Sequence, residues 1–140
     1  MKHTEKKLIV VDAPTGSGKT AFMKAYLQSC TPESTEYCTS ERFKDALRYA
    51  IDFGFTPVLE RIFTGKAVGV DDVDMVFRLR PRYEQRIVAE YLLRKAAANI
   101  IVVAGIQLEV RCPEFCATLK GDTTGIVEFI TESELGRWRT

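Results

Sequence analysis

The feature that most constrains the fold of this chain is a glycine-rich loop near its start, between an apolar run and a helix-forming segment. The sequence there reads KKLIVVDAPTGSGKTAF, residues 6–22. The apolar run predicts a buried β-strand, and the residues after the loop have the periodicity of a helix. Glycines let backbone N–H groups turn inward, and the helix N-terminus adds partial positive charge. The loop therefore predicts a phosphate-binding site.

The loop matches the Walker A pattern, with alanine at the position of the first glycine. In that pattern the lysine reaches the β- and γ-phosphates of a nucleotide and the next hydroxyl ligates Mg²⁺. The expected cofactors are therefore ATP or ADP with Mg²⁺, and a glycine-rich turn without a ligand is the alternative. The predicted binding residues are Ala13, Pro14, Thr15, Gly16, Ser17, Gly18, Lys19 and Thr20.

Strand-like and helix-like segments alternate along the rest of the chain. Strands are predicted at 7–11, 35–39, 67–70, 99–104 and 125–130, and helices at 19–29, 40–53, 56–64 and 81–98. Apolar strands separated by helices predict an α/β fold with a five-stranded, mostly parallel sheet and helices on both faces. Ligands of such sheets bind at the carboxyl ends of the strands.

Composition limits the classes of function that remain. A hydrophobic fraction of 46% in 140 residues fits a single domain, for which residues 1–6 are expected to be a flexible tail. The net charge is +1, so any nucleic-acid contact needs a local basic patch. No apolar run approaches the roughly 20 residues of a membrane span, and we expect a cytoplasmic protein without a membrane contact. Neither the four cysteines nor the single histidine has the spacing of a metal site.

Two acidic residues follow another apolar segment where its predicted strand ends. The sequence there is AVGVDDVDMV, residues 67–76. A loop that holds a triphosphate needs an acid to order magnesium and water. We therefore predict that Asp71 supports Mg²⁺ together with Thr20, and that Asp72 positions or deprotonates the attacking water. A pair of solvated loop carboxylates is the alternative.

These features resemble a known family. The sequence EYCTSERF, residues 36–43, followed by two predicted helices and the acidic strand end, is similar to the bacterial replication initiator DnaA and to related helicase loaders. The resemblance covers nearly the whole chain and implies a P-loop NTPase fold of the AAA+ type. The loop APTGSGKT alone is less specific, because it equally resembles motif I of superfamily-two helicases.

The resemblance also implies an initiator-type insertion at residues 40–64, which in the family shapes assembly and contacts single-stranded DNA. Its helices are predicted over 40–53 and 56–64, with Ser40 as N-cap and Ile51 on the apolar stripe. A solvated charged helix face is the alternative to DNA contact. The candidate DNA contacts are Arg42, Lys44, Arg48 and Arg61.

Three departures from the family bear on activity. The positions that match its polar γ-phosphate sensor are Ala104 and Gly105, which have no side-chain donor, and Gln107 is the nearest polar residue. The segment that carries its arginine finger reads CATLKGDTTG, residues 116–125, without an arginine. The sequence ends at residues 137–140, where the helical lid of the family is expected to begin, so we expect neither the lid nor the separate DNA-binding domain of the family. We therefore expect slow ATP hydrolysis.

The leading hypothesis is a DnaA-like AAA+ module that acts in replication initiation or helicase loading. Its expected partners are a nucleotide, single-stranded DNA and a replication initiator or helicase, and self-association is left open. The alternative is a non-catalytic regulator that docks onto an initiator or helicase. A small-molecule kinase or a helicase fragment is supported less, because a kinase needs an arginine-bearing lid and residues 107–124 offer only Arg111 and Lys120.

Overall fold

The computed structural model of this protein describes residues 7–30 and 35–138, apart from the side chain of Trp138. The predicted tail, residues 1–6, lies outside these ranges. No helix within them is long and apolar enough to cross a bilayer. In chain order the elements are β1 (Leu8–Asp12), α1 (Lys19–Cys30), β2 (Thr35–Cys38), α2 (Ser40–Leu47), α3 (Ala50–Phe53), α4 (Phe55–Glu60), β3 (Ala67–Val70), α5 (Val73–Val76), α6 (Tyr83–Lys95), β4 (Ile100–Gly105), α7 (Leu108–Arg111), α8 (Pro113–Lys120), β5 (Val127–Thr131) and α9 (Glu132–Trp138).

The five strands form one sheet in the order β2-β3-β4-β1-β5, and every neighbouring pair is parallel. The predicted α/β architecture is thereby confirmed. Asp12 at the end of β1 pairs with Gly105 of β4 and with Thr131 of β5. On the other side of β4, Val70 of β3 pairs with Val103. The loops after β1, β3 and β4 therefore meet at one edge of the sheet.

Alternate strand residues point into two separate cores, because side chains of a strand project to opposite faces. Leu8 and Val10 pack into the larger core, under α2 and α4–α8. Ile9 and Val11 pack into the smaller one, under α1 and α9. Helices thus cover both faces of the sheet, as predicted from the apolar strands that alternate with helices along the chain.

The insertion differs from its prediction. The helix expected over 40–53 stops at Leu47, and α3 begins after a turn. The N-cap is Thr39 and not Ser40, since the Thr39 hydroxyl accepts the N–H of Arg42 at 3.1 Å. The prediction for Ile51 was also wrong, because its side chain is 87% exposed. A continuous helix would place Ile51 on the face of Leu47, but the intervening turn rotates it into solvent.

The structure adds three short helices, α5, α7 and α8, where the sequence predicted none. The long helix predicted over 81–98 is shorter at both ends, as α6 covers Tyr83–Lys95. Two of the short helices have only four residues and therefore present no helical periodicity to detect. They matter because α5 follows β3 directly and α7 follows β4, at the edge where the phosphate loop lies.

Candidate functional site

The loop between β1 and α1 has the backbone that its glycines predict. Gly16 and Gly18 adopt φ angles of +82° and +95°, which residues with a Cβ rarely adopt. The carbonyl oxygen of Pro14 accepts two side-chain hydrogen bonds, from the Ser17 hydroxyl at 2.6 Å and from Lys19 Nζ at 3.1 Å. The loop therefore folds back over its own lysine.

Lys19 is the residue of this loop that most directly indicates an anion site. It is only 7% exposed, and among the described residues no carboxylate forms an ion pair with it. A buried lysine without an acidic partner is unusual in proteins. Its Nζ donates a hydrogen bond to the neutral carbonyl of Pro14. An anionic ligand would supply a negative charge to pair with this ammonium group.

Gly69, in the middle of β3, lets α1 lie close to the sheet. A Cβ at this position would lie 2.5 Å from Met23 Sδ and 2.9 Å from Leu27 Cδ1. The missing side chain therefore allows the first turns of α1 to pack against β3. This packing brings Thr20 to the residue that follows β3, Asp71.

Thr20 and Asp71 form the pair that the sequence predicted for magnesium. The Thr20 hydroxyl donates to Asp71 Oδ2 at 2.5 Å. A hydroxyl and a carboxylate are the hard oxygen donors that Mg²⁺ prefers, usually together with phosphate oxygens and water. Among the described residues no group of three or more His, Cys, Asp or Glu side chains could hold a metal by itself. The pair thus fits an ion that arrives with a phosphate ligand.

Asp72 adopts the left-handed conformation, with φ 51° and ψ 45°. Its N–H donates to Asp71 Oδ1 at 2.9 Å, which orients the first carboxylate. Partial desolvation raises the pKa of Asp72, the charges of Asp71 and Asp74 raise it further, and Lys19 opposes this rise. A higher pKa makes this carboxylate a better proton acceptor than an ordinary aspartate, as its predicted role requires.

The sequence interpretation missed Asp74, the third acid of the same segment. Its side chain is 2% exposed and bonds to two groups beyond β4: Oδ1 accepts the N–H of Ile106 at 3.1 Å, and Oδ2 pairs with Arg111 at 3.0 Å. Asp74 therefore ties the turn after β3 to the loop after β4. The position of Asp74 three residues after Asp71 could have marked it as part of the site. Its partner Arg111, however, lies far along the chain.

The end of β4 lacks a polar side chain where the family has its sensor. A Cβ on Gly105 would lie 2.5 Å from Leu108 Cδ2 and 2.8 Å from Asp74 Oδ1. The space beside Gly105 is therefore filled. Gln107 is exposed and left-handed, with a φ angle of 48°.

The candidate DNA contacts lie on the insertion. Arg42 and Lys44 are in α2, whereas Arg48 and Arg61 follow α2 and α4 directly. Arg48 pairs with Asp45 at 3.3 Å, with both side chains exposed. Segment 40–61 holds four acidic and four basic residues, so its net charge is zero. DNA contact by these residues stays a prediction.

The arginines that follow the acidic strand end do not pair with Asp71 or Asp72. Arg80, half-buried, binds Glu84 at 2.5 Å and the Leu47 carbonyl at 3.2 Å. Arg82 and Arg86 pair with Glu114 and Glu90 on the surface. Arg80 and Arg82 thus connect α6 and the turn before it to other helices, and the Arg86 pair lies within α6.

No protein-family model matches this sequence, and neither does any curated protein. Solved structures do match its fold. Domain III of the replication initiation protein DnaA from Thermotoga maritima aligns over 91% of this chain with 18% identity and a TM-score of 0.59. AMPPCP-bound DnaA from Aquifex aeolicus aligns over 89% with 14% identity and a TM-score of 0.58. The DnaC helicase loader aligns over 94% of this chain and 81% of its own, with 14% identity and a TM-score of 0.62.

The matched region is part of the larger initiators. This chain spans 56% of the Thermotoga domain III and 40% of the Aquifex DnaA chain. At such identities the likeness concerns the fold, and it confirms the resemblance that the sequence motifs carried. The chain has the α/β P-loop fold of the AAA+ core found in DnaA-like proteins.

Proposed function

We propose that residues 1–140 form a single nucleotide-binding module that binds ATP or ADP with Mg²⁺ and acts in the cytoplasm in replication initiation or helicase loading. The observation that carries the proposal is Lys19, a buried ammonium group in a glycine-rich loop that forms no ion pair with a carboxylate of the described residues. The structural likeness to DnaA and DnaC supports the biological setting.

The site residues divide the work of binding. Lys19 exchanges the Pro14 carbonyl for phosphate oxygens, while inward backbone N–H groups and the N-terminus of α1 hold the rest of the anion. Thr20 and Asp71 hold Mg²⁺, which supplies neutralising charge on the phosphates. Asp72 accepts the proton of the attacking water, a role that its raised pKa supports.

Two observations support slow turnover. The filled space beside Gly105 leaves no room for a side chain that would contact a γ-phosphate. Segment 116–125 has no arginine, and its Lys120 pairs with Glu109. An arginine that stabilises the transition state accelerates related enzymes by about 10³–10⁵. We therefore expect a rate well below the ~1–10³ per second of efficient enzymes.

Nucleotide binding by a Lys19→Ala protein is the direct test. We expect its affinity for a fluorescent ADP to fall about tenfold or more, since a charge-assisted contact in a partly buried site is lost. Lys24→Ala is the matched control, because Lys24 is an exposed lysine of the same helix whose recorded contact is with the Tyr37 ring. Equal affinity of the two variants would refute the phosphate site.

The filled space beside Gly105 at the end of β4 favours a second function, that of a non-catalytic regulator. A protein that binds nucleotide without sensing it suits a regulator that docks onto a replication initiator or helicase. In that case its complex with such a protein should survive Lys19→Ala, and purified protein should turn over ATP no faster with single-stranded DNA than without it. Stimulated turnover and assembly on DNA would instead favour the loader function.

DNA contact by the insertion and small-molecule kinase activity can each be tested directly. DNA contact predicts weaker binding of single-stranded DNA by a Lys44→Ala/Arg48→Ala protein, and unchanged binding would refute it. The kinase alternative loses support, since both cations that segment 107–124 offers to a phosphate form ion pairs within the chain. In that segment Arg111 pairs with Asp74, and Lys120 pairs with Glu109. Transfer of phosphate to a small acceptor would revive it.

A further inference from the structure

The insertion contains an apolar groove that the nucleotide site does not use. We call it the α3 groove, since α3 forms its outer wall. Its volume is about 360 Å³, and Phe53 and Tyr49 on its wall are 66% and 54% exposed. The groove is lined by Ala46, Tyr49, Phe53, Pro57, Val58 and Arg61.

The walls of the groove are held from both sides. Arg80 binds the carbonyl of Leu47, the last residue of α2, and this arginine is fixed in turn by buried Glu84. On the other side, the hydroxyl of buried Tyr91 in α6 donates to Glu60 at the end of α4. The short helix α3 is thus supported between two anchored elements. Such preorganisation lowers the entropy that binding costs.

The chemistry of the groove favours a protein ligand. Five of its six lining residues are apolar or aromatic, and the walls are helices whose backbone groups bond within the chain. An unpaired sheet edge is therefore not offered, and the groove suits an amphipathic helix that inserts apolar side chains. Tyr and Arg, both present here, are among the residues that most often dominate binding energy at interfaces.

Charge decides what should flank those apolar side chains. Arg61 lies in the lining of the groove, and no acidic residue of the described chain forms an ion pair with it. A partner carboxylate beside the apolar anchor would match this cation. We propose that the α3 groove binds an amphipathic, acidic helix of a partner protein, with its apolar residues against Tyr49 and Phe53 and a carboxylate on Arg61.

Single-stranded nucleic acid is the competing ligand, because aromatic side chains can stack on bases. Such binding also needs an excess of positive charge along the backbone path. The four basic residues of segment 40–61 are matched by four acidic ones, and Arg48 already pairs with Asp45. The balance of charge therefore favours a protein over a nucleic acid.

Selection from a phage-displayed library of random peptides tests the proposal without a known partner. We expect the enriched peptides to carry apolar residues at helical spacing next to Asp or Glu. Their affinity should fall about tenfold in Phe53→Ala, as for an interface anchor, and hardly change in Ile51→Ala. Ile51 is the matched control, since it is more exposed on the same helix but does not line the groove.

Charge reversal sharpens the test. A selected peptide should lose affinity for Arg61→Glu and regain it when its acidic residue is changed to lysine. Nucleotide affinity should stay as in the wild type for Phe53→Ala, so this test and that of Lys19 fail independently. The proposal is overturned if no peptide is enriched, if Phe53→Ala leaves binding intact, if oligo-dT binds through Phe53, or if sedimentation shows a dimer that Phe53→Ala dissociates.

Discussion

The phosphate loop and the end of β4 lie side by side at one edge of the sheet, yet they offer a nucleotide different chemistry. They are joined by two hydrogen bonds, from the Ala13 N–H to the Gly105 carbonyl and from the Leu108 N–H to Asp12 Oδ1, each 3.2 Å long. The loop holds a buried cation, whereas β4 ends at a glycine whose free side is filled. The loop thus has a group that can bind a phosphate, whereas the adjacent end of β4 has no side chain that could sense one.

Asp74 holds the groups that fill the space beside Gly105 at the end of β4. Replacement of Asp74 should therefore have the largest effect on stability at this edge of the sheet. Asp74→Ala removes an ion pair whose carboxylate is buried and leaves the Ile106 N–H without its acceptor. We expect the free energy of unfolding to fall by about 2–4 kcal/mol in chemical denaturation. Asp45→Ala is the control, because it removes an exposed pair with Arg48 and should cost less than about 1 kcal/mol.

Similar losses in the two variants would show that Asp74 does not organise this edge. A protein that unfolds too easily for nucleotide assays would not affect this conclusion, since denaturation alone supplies the readout. Arg111→Ala provides a second measurement, because it leaves Asp74 buried with only the Ile106 N–H as partner. It should also destabilise the fold.

The filled space beside Gly105 predicts the next largest effect. Gly105→Ala places a methyl group against Leu108 and Asp74, and such overpacking costs about 1–3 kcal/mol. Gly136→Ala is the matched control in α9, where a Cβ meets no atom within 4 Å. That change should be neutral or stabilise the helix by up to about 1 kcal/mol. If Gly105→Ala unfolded like the wild type, a sensor side chain could be accommodated there after all.

The sheet and the glycine-rich backbone of the loop between β1 and α1 were predicted from the sequence because both depend on local patterns. β3 has the predicted bounds, and β1, β2, β4 and β5 differ from theirs by one or two residues. Continuous apolar runs mark β1, β3 and β4 as buried parallel strands, whereas β2 and β5 also contain polar residues. Lys19, Thr20 and Asp71 lie together because the motif fixes the loop and the strand end fixes the acid. Parallel strands then bring both to one edge.

The predictions that were wrong or missing concern features that depend on distant residues. Helix α3 has only four residues, so the sequence pattern does not show that α3 is separate from α2. Ile51 was therefore predicted to lie in the core because of its spacing from Leu47. Asp74 reads as one more exposed acid in DDVD until Arg111, 37 residues further on, is folded beside it. Neither burial nor partner can be derived from the spacing of these residues alone.

Magnesium dependence sharpens the description of the phosphate loop. The Thr20 hydroxyl lies 2.5 Å from Asp71 and is a predicted Mg²⁺ ligand. Thr20→Val keeps the shape of the side chain and removes this hydroxyl. We expect Mg²⁺ to tighten nucleotide binding in the wild type and to do so about tenfold less in the variant. In EDTA the two proteins should bind nucleotide equally. A variant that still responds fully to Mg²⁺ would show that Thr20 does not ligate the ion.

Replacement of Asp72 should have the smallest effect on stability, and the sign of that effect follows from the raised pKa of Asp72. Because the folded-state pKa lies above the ordinary value of 3.8, protonated Asp72 favours the folded state. This stabilisation is complete below 3.8 and is lost as the pH rises through the folded-state pKa. Asp72→Asn mimics the neutral form at every pH, and asparagine accepts the left-handed backbone of this position.

The Asn variant should therefore be more stable than the wild type near pH 7 and equal to it near pH 3 in denaturation experiments. The gain should be small, because this carboxylate is largely exposed. ATP turnover should fall at the same time, since the amide cannot accept a proton from water. A variant that is less stable at pH 7 would mean that a favourable contact of the carboxylate outweighs its desolvation and the charges of Asp71 and Asp74.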